Sequence, residues 1–117
     1  MKICRATREG TLLIEAVEMA TGFRDRLKGL LGRGGMERGK AIYLSPCGSI
    51  HTFFMKFPID VVFLDGSMVV LRIFRGVKPF RLVWGGLSAA AALEMETGWL
   101  PAEALRVGDR LNLSSPQ

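Results

Sequence analysis

The run Asp60-Val61-Val62-Phe63-Leu64 with the Asp65-Gly66-Ser67 that follows it constrains the fold more than any other part of the chain. Side chains of a strand alternate between two faces, so residues 61–64 present apolar groups to both, and such a strand must be central and covered on both sides. Asp65-Gly66-Ser67 is a tight-turn signal, so the next β-patterned stretch, 68–74, is expected to return antiparallel beside the first.

The rest of the chain reads as more strand than helix. Residues 2–5, a turn near Glu9-Gly10 and residues 12–19 form a hairpin. Thr21 is placed to cap an amphipathic helix in which Phe23, Leu27, Leu30 and Leu31 share one side and Gly32 supplies the stop. Residues 41–44, 50–57 and 81–84 are β-patterned and separated by turn residues. The alanine-rich stretch 88–95 has helix propensity, but Glu96-Thr97-Gly98 suits the turn after a strand, and a strand is predicted. Residues 99–105 predict a short helix and 107–113 a turn and a final strand.

At 117 residues the chain suffices for one apolar core and is short for two, so residues 1–117 are read as one domain. Its 49% hydrophobic and 23% charged residues exclude general disorder and leave only 114–117 as an expected disordered tail. No apolar run reaches the roughly 20 residues of a transmembrane helix. Arg5, Arg8 and Glu9 stand where a signal peptide would need an apolar stretch, so a cytoplasmic location is expected. Cys4 and Cys47 lie far apart, belong to no Cys-x-x-Cys pair and match no zinc-ligand spacing. Free thiols, no metal and no cofactor are expected.

The formal net charge is +5, with nine Lys/Arg against five Asp/Glu in residues 1–40. Residues 66–86 carry Arg72, Arg75, Lys78 and Arg81 and no acid. This balance favours anionic partners, an anionic small molecule or an acidic protein among them. Gly32-Arg33-Gly34-Gly35 does not read as a phosphate cradle, because it follows the predicted helix instead of opening one and lacks a Gly-Lys-Ser/Thr arrangement. Arg33 and Arg38 remain as anion contacts.

Leu27-Lys28-Gly29-Leu30-Leu31-Gly32-Arg33, the segment from His51 to Asp65, Leu93-Glu94-Met95 with Thr97-Gly98, and Val107-Gly108-Asp109-Arg110-Leu111 together resemble the DUF192 family of small prokaryotic proteins. The resemblance covers most of the chain, and Phe54-Met55-Lys56 with Pro58 to Asp65 carries most of it. It implies a mainly β (α+β) fold: a compact, largely antiparallel, barrel-like sheet with one or two short helices. It also supports a strand around Ala90. The chain departs from the family in having Phe53 or Phe54 where a tryptophan is frequent, and only Lys56-Phe57 before the proline. The family brings no established catalytic residues, so candidates rest on their own chemistry.

A continuous strand over 50–56 would place His51, Phe53 and Met55 on one face. His51, the single histidine, can act as a ligand contact or general acid/base, or sit hydrogen-bonded in a half-buried position. Asp60 opens an apolar strand, where a carboxylate must be paired or hydrogen-bonded; it can orient His51 or fix the entry turn, and the turn role is preferred. Cys47 precedes His51 by four residues, ~13 Å along an extended strand, so a thiol–imidazole pair needs the chain to fold back at Gly48. Asp65 and Asp109 are read as turn residues.

Three functions follow, in order. The first is a non-catalytic small-ligand- or partner-binding accessory domain, with Ser49, His51, Thr52 and Asp60 as binding residues. The second is a small enzyme using His51 with Asp60 or Cys47 on an anionic substrate drawn by Arg33, Arg72, Arg75 and Arg81. The third is nucleic-acid binding through the basic residues of 66–86 with Phe74, Phe80 and Trp84 interleaved; it ranks last because no nucleic-acid motif accompanies them.

Overall fold

The computed structural model describes residues 2–20, 40–53, 55–98 and 100–114. Seven strands form one sheet in the order β6-β5-β8-β3-β2-β1-β9: β1 (Lys2–Arg8), β2 (Thr11–Ala20), β3 (Lys40–Leu44), β5 (Ile59–Leu64), β6 (Val70–Val77), β8 (Ala91–Glu96) and β9 (Asn112–Ser114). A second, two-stranded sheet joins β4 (Ser49–His51) to β7 (Leu82–Trp84). All described pairings are antiparallel except β2 with β3.

As expected, β5 is central, buried along its whole length between β6 and β8. The β5–β6 turn is held by Asp65, whose Oδ1 accepts the backbone N–H groups of Ser67 at 2.8 Å and Val69 at 3.0 Å. The alanine-rich stretch is strand β8, paired on both sides with β3 and β5, so sheet pairing prevails over alanine's helix propensity.

The sheet curls into a half-barrel. At one end its margins meet, where Val69 before β6 bridges Arg110 before β9. Elsewhere residues 100–111 fill the gap along β6: Arg75 donates to the Leu100 carbonyl, and Gly108 N–H to that of Val70. Leu100, Leu105 and Leu111 enter the inner core there, with Val17, Val62, Leu64, Leu93 and Met95. The outer face of the same strands presents Ile42, Val61, Phe63 and Ala92 to Ile50, Met55 and Phe57 of the covering segment. Apolar groups on both faces of β5 thus have two separate partners, the barrel interior and the β4–β7 layer.

Several expectations are corrected. The strand drawn over 50–57 ends at His51, because the Met55 N–H turns back to the Thr52 carbonyl at 3.1 Å. Met55 is consequently buried while Phe53 is exposed, so the two do not share a face. The expected helix at 99–105 is reduced to a single 3₁₀ turn, Ala102–Ala104, and no α-helix occurs among the described residues. The helix and glycine-rich loop expected between Thr21 and Gly39 lie outside the described residues. Ser114, assigned to the tail, ends β9 opposite Arg5.

The covering layer sits on the sheet through Gly85. A Cβ there would lie 2.5 Å from Cγ of Phe63 and 2.7 Å from Cβ of Ala89, and Phe63 is fully buried on a central strand. Gly85→Ala is therefore expected to lower unfolding stability by about 2 kcal/mol through overpacking. Urea denaturation checks this, and a midpoint equal to that of the native chain would show that the layer lifts freely off the sheet.

Candidate functional site

Thr52 organises the candidate site from within. Its side chain is fully buried; the hydroxyl donates to the Lys78 carbonyl at 2.6 Å and accepts the Arg81 N–H at 2.8 Å. Its backbone N–H donates to the Arg81 carbonyl, and its carbonyl accepts the Phe80 N–H. Four hydrogen bonds thus clamp residues 78–81 against the end of β4. Within that clamp Phe80 holds φ +62°, a left-handed conformation that costs a bulky residue about 1–2 kcal/mol. The result is an exposed ring lying 6.3 Å from that of Phe53, which in turn lies 5.2 Å from the His51 ring.

Register completes the surface. Ile50 faces Val83 toward the sheet, whereas His51 faces Leu82 and Ser49 faces Trp84 on the outer side. The Arg72 guanidinium lies over the Trp84 ring, 5.7 Å from its centre. Phe53 is 43% exposed, Phe80 59%, Leu82 71% and Trp84 53%; Leu87, at the tip of the turn closed by Ala89 N–H and the Gly86 carbonyl, is 95% exposed. The alternation of Leu82, Val83 and Trp84 was the available sign in the sequence that two of three point outward.

Ser49 and His51 are exposed on this layer. Cys47 is half-buried, and its thiol donates to the Ser49 carbonyl at 3.2 Å. Asp60 lies elsewhere, paired in register with Met95 on the inner side of the sheet, so the sheet stands between it and the β4–β7 layer. Its Oδ1 accepts the Gly76 N–H at 2.8 Å and the Thr97 hydroxyl, and its Oδ2 faces Arg75 at 3.4 Å. Gly76, at φ +63°, belongs to an irregularity in β6 opposite Asp60, and the carboxylate satisfies the N–H that the irregularity leaves without a strand partner. The structure therefore groups His51 with Phe53, Phe80 and Leu82, and Asp60 with Arg75, Gly76 and Thr97. Arg75 also donates to the Leu100 and Pro101 carbonyls. Arg81 is exposed at the margin of the aromatic layer, and Arg33 lies outside the described residues. Cys4 and Cys47 are not joined in a disulfide, and no three His, Cys, Asp or Glu side chains come together as metal ligands among the described residues.

Glu94 was not singled out by sequence reasoning. It occupies the middle of β8, between Ile42 of β3 and Val61 of β5 on the outer face, and is only 5% exposed. Burial raises its pKa from 4.5 to about 7. The available signal was a carboxylate in the apolar run Ala91-Ala92-Leu93-Glu94-Met95. Asp109, in contrast, is held below the usual carboxylate range, first by the Arg106 backbone N–H and then by Arg8. A cleft of about 460 Å³ lies away from the aromatic layer, lined by Thr7, Glu9, Gly10, Arg110, Leu111 and Asn112.

Two solved structures share the fold. A protein of unknown function from Novosphingobium aromaticivorans DSM 12444 superposes with a TM-score of 0.80 at 17% identity, covering 94% of this chain and 83% of that one. A protein from Sinorhizobium meliloti 1021 described as a "putative transcription regulator" superposes with a TM-score of 0.79 at 19% identity, covering 96% and 92%. At such identities the likeness concerns architecture alone. No curated protein shows significant sequence similarity to the chain. The model of the DUF192 family, an uncharacterized ACR group, matches residues 4–113, and with nearly the whole described sheet inside that match the chain belongs to the DUF192 family.

Proposed function

We propose that this domain is a non-catalytic binding module that takes its partner on the outer side of the β4–β7 layer. The observation that carries this reading is the exposure of Phe53, Phe80, Leu82, Trp84 and Leu87 on one small layer whose inner side is fully engaged with the sheet. A domain with enough core to hide these groups instead holds one of them outward in a left-handed conformation. His51 and Ser49 sit among them as polar contacts, and Arg72, Lys78 and Arg81 supply positive charge at the margin. Thr52 and Asp60 act as supports: one clamps the aromatic turn, the other secures the sheet end.

Binding of the anionic, apolar dye 1-anilinonaphthalene-8-sulfonate to the native fold tests the reading. The native chain is expected to take up the dye saturably, and Leu82→Ser/Trp84→Ser to lose most of the fluorescence gain while keeping its urea midpoint. Undiminished dye binding in that variant would overturn the assignment of the face. Turnover of ester or phosphate substrates that His51→Ala abolishes without loss of stability would replace it with a catalytic reading.

A further inference from the structure

We propose that the partner is the surface of an anionic phospholipid bilayer, a proposal that rests on the β4–β7 layer being the binding face. The first argument is charge. Residues 45–59 and 66–90, which make up the layer and its flanks, contain no aspartate or glutamate and carry Lys56, Arg72, Arg75, Lys78 and Arg81; of the two carboxylates between these stretches, Asp60 faces inward and Asp65 is tied into the β5–β6 turn. Lys56, Arg72, Lys78 and Arg81 are exposed. A surface on which exposed basic groups predominate is attracted to anionic headgroups, each basic side chain adding to the attraction.

The second argument is the kind of apolar group and its shape. The most exposed members are leucines, Leu82 and Leu87, and Leu87 stands at the tip of a turn. A protruding leucine gains by leaving water for hydrocarbon and offers nothing to a nucleobase, which needs a free aromatic face. One face of Trp84 carries the Arg72 guanidinium, and the Phe53 ring is flanked by the tilted His51 ring at 5.2 Å and the Phe80 ring at 6.3 Å. Trp84 and Phe80 with adjacent Arg72 and Arg81 have the composition of side chains that settle at the headgroup level. The proposed contact is with the bilayer surface, the leucines entering the acyl boundary and the basic groups staying among the phosphates.

Co-sedimentation of the full chain with vesicles of phosphatidylcholine alone, or of phosphatidylcholine with phosphatidylglycerol as ~30% of the lipid, provides the test. Binding is expected to the mixed vesicles only, to weaken as salt rises from ~0.1 to ~1 M and the Debye length contracts, and to shift tryptophan emission to the blue in a manner that Trp84→Phe removes. Leu82→Ser/Leu87→Ser is expected to weaken it by at least roughly tenfold. Binding unaffected by that double variant would overturn the proposal, since charge alone would then explain it. Absence of vesicle binding also overturns it, and tight binding of single-stranded oligonucleotide in its place assigns the face to nucleic acid. The dye measurement separates the two levels: if Leu82→Ser/Trp84→Ser still abolishes dye uptake, the face stands and only the bilayer falls.

Discussion

Glu94→Gln is expected to remove a loss of stability that the native chain suffers as pH rises from about 4.5 to about 7. The unfolded carboxyl ionises near 4.5, whereas the folded one keeps its proton up to about 7 because ionisation in the sheet has no water to support it. Between those values the folded state binds more protons than the unfolded, so stability falls with rising pH, and above them the loss is complete. Its size is roughly 3 kcal/mol, at about 1.36 kcal/mol for each pH step between the two values. Below pH 4.5 the native chain and the variant should differ little; at pH 8 the variant should be the more stable. Urea titrations at pH 4, 6 and 8 measure the slope, and an equal slope in both proteins would show that Glu94 ionises in the fold as it does in water.

Asp60→Ala is expected to lower stability by about 3 kcal/mol, because it strips a buried acceptor from the Gly76 N–H, the Thr97 hydroxyl and the Arg75 guanidinium at once. Arg75→Ala should cost about 1 kcal/mol, since that side chain is partly exposed and Asp60 keeps its other two partners. Asp60→Asn, which retains an acceptor for Gly76, should fall between them. Thermal and urea denaturation of the three variants give the order. Equal losses for Asp60→Ala and Arg75→Ala would mean that the ion pair, not the backbone and hydroxyl donors, carries the site.

Much of the sheet was legible because β patterning and turn chemistry are local. Val61 to Leu64 announced a doubly covered strand, and Asp65-Gly66 announced the hairpin after it. Glu96-Thr97-Gly98 pointed to a strand for the alanine-rich stretch, where helix propensity alone misleads, and the family resemblance supported it. What escaped the sequence depends on contacts remote along the chain. Thr52 is buried and saturated with hydrogen bonds only because Lys78, Phe80 and Arg81 come to meet it, and the inward carboxylate of Asp60 is satisfied only because β6 presents the Gly76 N–H opposite. The exposed aromatic layer was hidden for the same reason: an aromatic residue on a strand reads as core until one knows which side of the strand another layer already covers.

The pairing of Arg5 with Ser114 and of Thr7 with Asn112 has a consequence for how the molecule forms. Two segments separated by almost the whole chain must find each other before the outer margin of β1 is closed, and such non-local pairings slow the search and are entropically late. The β1–β2 hairpin can form early, but it waits with a bare strand beside it. The register shifts between Cys4 and Ala6 and between Ala6 and Thr7 lie on that strand, and the local distortion makes it a poor template for a neighbouring chain during the wait.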